Sequence, residues 1–224
     1  MSARYLRVVT LEPDGNESAI DAALRSACLP ALLRTDPVVD AWIGRHVSRD
    51  RRTRLIASTW SEAPGEAPPD VKVVTALGSN GAADVTISRE QTLDLAVHER
   101  FDRPEPARIL RLFRGRVRGG ELDAYIADSR AGMVADALVN DGLIAFALGA
   151  DPPDAFVTVS VWTGWSAIEE ATGGNTRRPI ATRHSVRLTG FDVVHFEVLP
   201  DLAARPVAAG AVVPGDAARN AART

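Results

Sequence analysis

The sequence predicts an α+β fold of two tandem βαββαβ units whose antiparallel sheets stack within one chain. Three observations predict it. The chain repeats itself weakly, with the matches in order. Each repeat reads as strand, helix, two strands, a variable segment and a last strand. The first strand of each repeat carries apolar side chains on both faces, so both faces need cover.

The duplication is read first because an internal repeat decides the fold. Arg4-Tyr5-Leu6-Arg7-Val8-Val9 aligns with Arg108-Ile109-Leu110-Arg111-Leu112-Phe113, at an offset of 108 − 4 = 104. The same offset carries Gly15 and Glu17 onto Gly119 and Glu121. Ala41-Trp42-Ile43-Gly44 resembles Phe146-Ala147-Leu148-Gly149. Leu55-Ile56-Ala57-Ser58-Thr59-Trp60 resembles Val157-Thr158-Val159-Ser160-Val161-Trp162, at 162 − 60 = 102. Ala96-Val97-His98 matches Val193-Val194-His195 at 195 − 98 = 97, which places His98 and His195 at equivalent points. The shrinking offset fits loops that shortened in the second copy.

First strands are predicted over residues 4–12 and 107–117, and first helices over 16–35 and 120–139. Ile20, Ala23, Leu24, Ala27, Cys28 and Ala31 recur at helical spacing, with Pro30 a point of interruption. In the second copy Leu122, Tyr125, Ile126, Met133, Ala137 and Leu138 take that role. Second strands follow over 38–47 and 143–150, and third strands over 53–61 and 156–163. Polar turns, Ser48–Arg52 and Asp151–Asp154, join them. Trp165–Ala171 predicts a short helix ended by Gly173-Gly174, whereas Pro64, Gly65, Pro68 and Pro69 predict a loop with little helix in the first copy. Last strands are placed near 91–101 and 186–199. The organisation is one unit over 1–103, a second over 104–200 and a disordered tail over 201–224, with Arg103–Pro106 as linker.

Strand-helix-strand, strand-helix-strand is the ferredoxin-like order: a four-stranded antiparallel sheet with helices on one face. Leu6, Val8, Leu110 and Leu112 point one way, and Tyr5, Arg7, Val9, Ile109, Arg111 and Phe113 the other. Two such sheets stacked face to face cover the exposed sides, giving a pseudo-dimer inside one chain. Arg7 and Arg111 are placed on the face that meets the other sheet, solvated at its rim.

Composition bounds the function. The net charge of −3 gives no general attraction to nucleic acid or anionic membranes, and the run of Arg108, Arg111, Arg114, Arg116 and Arg118 lacks interleaved aromatics. No apolar segment approaches the ~20 residues that span a bilayer. There is no signal-like N-terminus, and the single cysteine, Cys28, cannot form an internal disulfide. A cytoplasmic location is expected. No metal-site spacing, nucleophile elbow or phosphate loop is present, and the sequence requires no cofactor.

The strands ending Ser58-Thr59-Trp60 and Ser160-Val161-Trp162, with the element order around them, resemble the dimeric α/β-barrel superfamily, in particular antibiotic-biosynthesis-monooxygenase-like (ABM) domains. The resemblance covers most of residues 4–199 and implies a monooxygenase-like protein acting on a small aromatic or planar molecule. In some of its members the oxygen chemistry is substrate-assisted, without metal or flavin. In the haem-degrading branch a tryptophan at the end of this strand lines the pocket, and Trp162 and Trp60 match that position. That branch also implies a first-strand asparagine, absent here, and a histidine ligand near the second helix, where His184 lies. Haem is thus allowed by the resemblance with its motif incomplete. The ligand-binding candidates are Trp162, Trp165, His184, Phe113 and Arg111, in the copy whose second helix is intact; no catalytic residue is assigned. The other readings are a core tryptophan, an exposed histidine and a non-catalytic binding or stress-related scaffold. A small-molecule partner is expected, and further self-association stays open.

Overall fold

Side-chain alternation along eight described strands sorts this chain into three apolar layers. The computed structural model describes residues 2–66, 68–70, 72, 74, 75, 84–133, 140–180 and 185–199. In order, β1 (Tyr5–Asp14) leads to α1 (Glu17–Ala23), a π-turn over Leu24–Cys28, and α2 (Leu29–Leu33). Then come β2 (Val38–His46), β3 (Arg54–Trp60) and β4 (Asp84–Arg100). The second unit runs β5 (Ile109–Val117), α3 (Leu122–Asp128), a π-turn over Ser129–Met133, β6 (Leu143–Asp151), β7 (Ala155–Trp162), α4 (Trp165–Thr172) and β8 (Leu188–Val198).

The sheet closes on itself in the order β1-β3-β2-β8-β5-β7-β6-β4. Each unit supplies four neighbouring strands in ferredoxin-like order, β4-β1-β3-β2 and β8-β5-β7-β6. The two sheets face each other, and their edges also pair. β4 joins β6 over six residue pairs, and β2 joins β8 over three, Gly44↔Val198, Arg45↔Glu197 and His46↔Phe196. Closure removes the sheet edges that would otherwise template aggregation.

Leu6, Val8, Leu110 and Leu112 meet inside the barrel with Trp42, Leu55, Val159 and Phe196. Val9, Ile20, Leu24 and Trp60 form the layer beneath α1 and α2. Ile109, Phe113, Leu122, Tyr125, Trp162 and Ile168 form the matching layer under α3 and α4. Gly44 and Gly149, aligned in sequence, serve the two seams. A Cβ on Gly44 would stand 2.7 Å from the Phe196 Cβ and 3.0 Å from Leu110 Cδ1. One on Gly149 would stand 2.7 Å from the Leu93 Cβ and 3.3 Å from Leu6 Cδ2.

Several expectations need correction. Pro30 does not end the first helix: the π-turn widens the chain just before it, and Pro30 falls in the first turn of α2, where a missing N–H costs little. β4 begins seven residues earlier than expected, at Asp84, because the tail of β1 from Leu11 to Asp14 extends far enough to pair with it past a bulge. In the proline-rich segment Pro69, Asp70, Lys72, Val74 and Thr75 have helical backbone, with Lys72 N–H donating to the Pro68 carbonyl at 3.1 Å. His98 and His195 are not equivalent. Thr92 stands across from Arg7 where His195 stands across from Arg111, and His98, six residues further along β4 (98 − 92), bonds Asp40 at 3.2 Å instead. The expected tail, His184 and residues 134–139 lie outside the described residues.

Candidate ligand-binding site

Arg7 and Arg111 do not sit on the sheet-to-sheet face. They alternate with Leu6, Val8, Leu110 and Leu112, which fill the barrel, so their side chains fall on the helix-covered side. Neither is solvated at a rim: they are 2% and 3% exposed. Helices and loops roof that side, which the sequence pattern leaves ambiguous because both faces are apolar.

The two arginines occupy matching frames. Arg7 pairs across strands with Ser58 and Thr92; Arg111 pairs with Ser160 and His195. Trp60 and Trp162 donate their indole N–H to Ser58 and Ser160 Oγ at 2.7 and 2.8 Å. Both tryptophans are thus core residues with their one polar group satisfied inside the same copy.

The frames differ in charge. Arg7 Nε meets Asp70 Oδ2 at 3.0 Å, and its Nη1 meets Glu90 Oε1 at 2.7 Å. Arg54, the other buried arginine of this copy, meets Asp21 at 2.6 Å and Glu17 at 3.0 Å. Arg111 has no carboxylate among the described residues. Its Nη2 donates to the Arg178 carbonyl at 2.5 Å, its guanidinium lies 5.5 Å from the Phe113 ring centroid, and its Nε is buried without a partner. Burial lowers its pKa to about 10, so it remains a cation at neutral pH.

Beside it His195 is 6% exposed, and its Nε2 is also buried without a partner. Burial first and the Arg111 charge second lower its pKa to about 4, so the ring is neutral at pH 7. A hydrogen bond to the Thr176 backbone holds that ring. Trp165, at the start of α4, tilts over it with centroids 5.0 Å apart. On the other flank Phe113 stacks between Phe156 and Phe191, each at 5.7 Å, and Tyr125 stacks on Phe156 at 4.3 Å. Burial raises the Tyr125 pKa to about 12, keeping its hydroxyl protonated.

A cleft of about 790 Å³ lies nearby, at the short β2–β8 seam, and neither Arg111 nor His195 is among its described lining residues. Ile109, Glu197, Arg108 and Trp165 line it together with Arg25 and Arg45 from the first copy. Ile109 and Glu197 are cross-strand partners. Two residues further along the same strands, about 7 Å inward, stand Arg111 and His195. Trp165 belongs to both surroundings: it is a wall of the cleft, 37% exposed, and packs on the His195 ring.

Of the expected ligand-binding residues, Arg111, Phe113 and Trp165 gather around this pair. Trp162 adjoins it only through Ser160 and does not line the cleft. His195, Tyr125 and Phe191 are not among the ligand-binding residues expected from sequence. The signal for them was present in Arg7 and Arg111, duplicated while the acidic neighbours were not. Among the described residues that line the cleft there is no histidine, cysteine, methionine or tyrosine to hold an iron, so this described lining does not fit the haem suggested by the resemblance. Among the described residues no group of three or more His, Cys, Asp or Glu could hold a metal ion, and no helix is long and apolar enough to cross a membrane.

A scan against known protein families finds no match, and a search of curated proteins finds none either. Solved structures do match. A protein from Lactobacillus acidophilus assigned as a monooxygenase superposes with a TM-score of 0.64 at 10% identity, covering 88% of this chain and 95% of the other. One from Fusobacterium nucleatum with the same assignment gives 0.66 at 12%, covering 88% and 93%. A chlorite dismutase from Candidatus Nitrospira defluvii gives 0.55 at 8%, covering 91% and 97%. At such identities the likeness is one of fold, and the chain is a tandem dimeric α/β barrel, the architecture of these monooxygenase-like and chlorite dismutase proteins.

Proposed function

We propose that the second copy binds a small planar aromatic molecule between its sheet and α4, and that the protein is a monooxygenase-like enzyme acting on it. The observation that carries this reading is Arg111: a buried cation with no carboxylate partner among the described residues, beside a neutral histidine whose Nε2 has none either, among stacked rings. A buried charge without a counter-charge is costly, and folds keep one where a ligand completes it. The ring cluster would offer a planar ligand stacking partners, and the fold shared with monooxygenase-like structures supports the choice of reaction class.

The test is to follow ligand binding by Trp165 fluorescence and then oxygen uptake with quinol-type substrates. The other three tryptophans are 5% exposed or less, so Trp165 dominates any change at the surface. Binding abolished by Arg111→Gln, together with oxygen uptake, supports the enzyme. Binding without uptake supports the second reading, a non-catalytic scaffold, which the closed packing of Trp162 favours. No binding of any planar aromatic overturns both. Haemin and flavin titrations followed by absorption complete the set.

A further inference from the structure

We infer that the anion received by Arg111 is a carboxylate, presented as Asp70 is presented to Arg7, and that the first copy is a self-occupied version of the same site. This rests on the ligand-site reading above and names the charged group of the ligand.

The first copy works as an internal template. In both copies the arginine sits two residues into a matching strand frame, beside a serine that caps a tryptophan N–H. Only in the first does the chain reach in with an acid. Asp70 is 1% exposed and comes from the helical segment that follows β3, the place occupied in the second copy by α4. Ten residues after the matching tryptophan, where the first copy has Asp70, the second has Thr172 (172 − 162 = 70 − 60). The Thr172 hydroxyl is spent on the Ile168 carbonyl at 2.7 Å. Glu90, which pairs with Val9, is replaced by Val193, which pairs with Phe113. Both acids of the first copy are therefore missing from the second, while the arginine is kept.

The free donor also fits. Arg7 spends its Nε on Asp70, and Nε is the guanidinium nitrogen that Arg111 leaves unpartnered. One buried cation beside a neutral imidazole balances one negative charge, which favours a monoanionic carboxylate over a phosphate or sulfate dianion. The cleft beyond Trp165 has room for the rest of an aromatic acid.

Benzoate and its neutral isostere benzamide are titrated into wild type, Arg111→Gln and Asp70→Asn by calorimetry. Wild type should take one benzoate and bind benzamide at least about thirtyfold more weakly, the loss expected when a buried charge pair is not made. Arg111→Gln should lose the preference. Asp70→Asn should take a second benzoate, at Arg7. Equal affinity for benzoate and benzamide overturns the carboxylate assignment and leaves an aromatic site standing. If neither binds and quinols do not bind, the site reading itself fails. The template is judged separately, by melting Asp70→Ala in acetate and in chloride at equal ionic strength. Acetate should raise the melting temperature of Asp70→Ala by more than that of wild type, in which only Arg111 is open to it; equal shifts in the two proteins overturn the self-occupied site.

Discussion

The two copies hold the same arginine in the same place and treat it in opposite ways. Arg7 is closed off by Asp70 and Glu90 and belongs to the stability of the first copy. Arg111 is as deeply buried, and among the described residues it meets a backbone carbonyl, an aromatic ring and a neutral histidine but no carboxylate. The two units set matching frames around this arginine, with Thr92 in one where His195 stands in the other. The difference shows that a charge which is structural in one frame is open for a ligand in the other, without any change to the arginine itself.

The largest effect should come from breaking this comparison at the arginines. Arg7→Met strands Asp70 as a buried carboxylate and should lower unfolding free energy by about 3–5 kcal/mol. Arg111→Met removes a cation that no carboxylate balances, so stability without ligand should be unchanged or raised. Urea unfolding of both variants checks this. Equal losses would mean that Arg111 is balanced by something the described residues do not contain.

A smaller effect concerns His195, which has no counterpart in the first copy. Its folded pKa of about 4 lies below the ordinary 6.5. The unfolded chain therefore binds the extra proton between those values, so the contribution of His195 is full above pH 6.5 and is lost as pH falls toward 4. The loss should reach about 3 kcal/mol at most. His195→Gln should flatten the pH dependence of stability between pH 6.5 and 4, whereas Thr92→Gln at the matching place in the first copy should not. A ligand carboxylate on Arg111 would weaken the repulsion that lowers this pKa, so saturating benzoate should move the His195 pKa up toward 6.5 and shrink the loss of stability between pH 6.5 and 4.

Much of the fold was legible because it rests on short-range patterns. Strand alternation, helical spacing and the Ser–x–Trp strand ends are local, and they place most elements to within two residues. Three things were not local. Which apolar face of β1 meets helices depends on how the sheets close, so Arg7 and Arg111 were assigned to the wrong side. Equivalence of His98 and His195 failed because the register of the last strands is set by pairing with β1 and β5, which puts Thr92 and not His98 opposite Arg7, and a string comparison cannot see pairing. Asp70 lies in a segment whose prolines announce a loop and conceal an acid that folds back over Arg7. Of the site, Arg111, Phe113 and Trp165 were readable as residues. Their grouping with His195 was not, because it follows from pairing β5 with β8 across 84 residues of chain (195 − 111).

The seams offer the finest contrast. Gly44 and Gly149 align in sequence, and each faces a neighbour too close for a methyl group, at 2.7 Å. Both alanine variants force overpacking of the barrel wall and should cost about 1–3 kcal/mol. Their consequences should nevertheless diverge. The β4–β6 seam around Gly149 continues over six pairs, so strain there is shared along a long ladder. The β2–β8 seam around Gly44 has only three, and its next residue outward, Arg45, bonds Glu197 at 2.9 Å on the wall of the cleft. Displacing Phe196 there moves β8 one residue from His195. Gly44→Ala should therefore weaken benzoate binding as well as stability, whereas Gly149→Ala should lower stability and leave binding within about twofold, since distant sites act independently. Calorimetric titration of both variants at a temperature where each remains folded separates the two. Equal binding by both would place the ligand route away from the short seam.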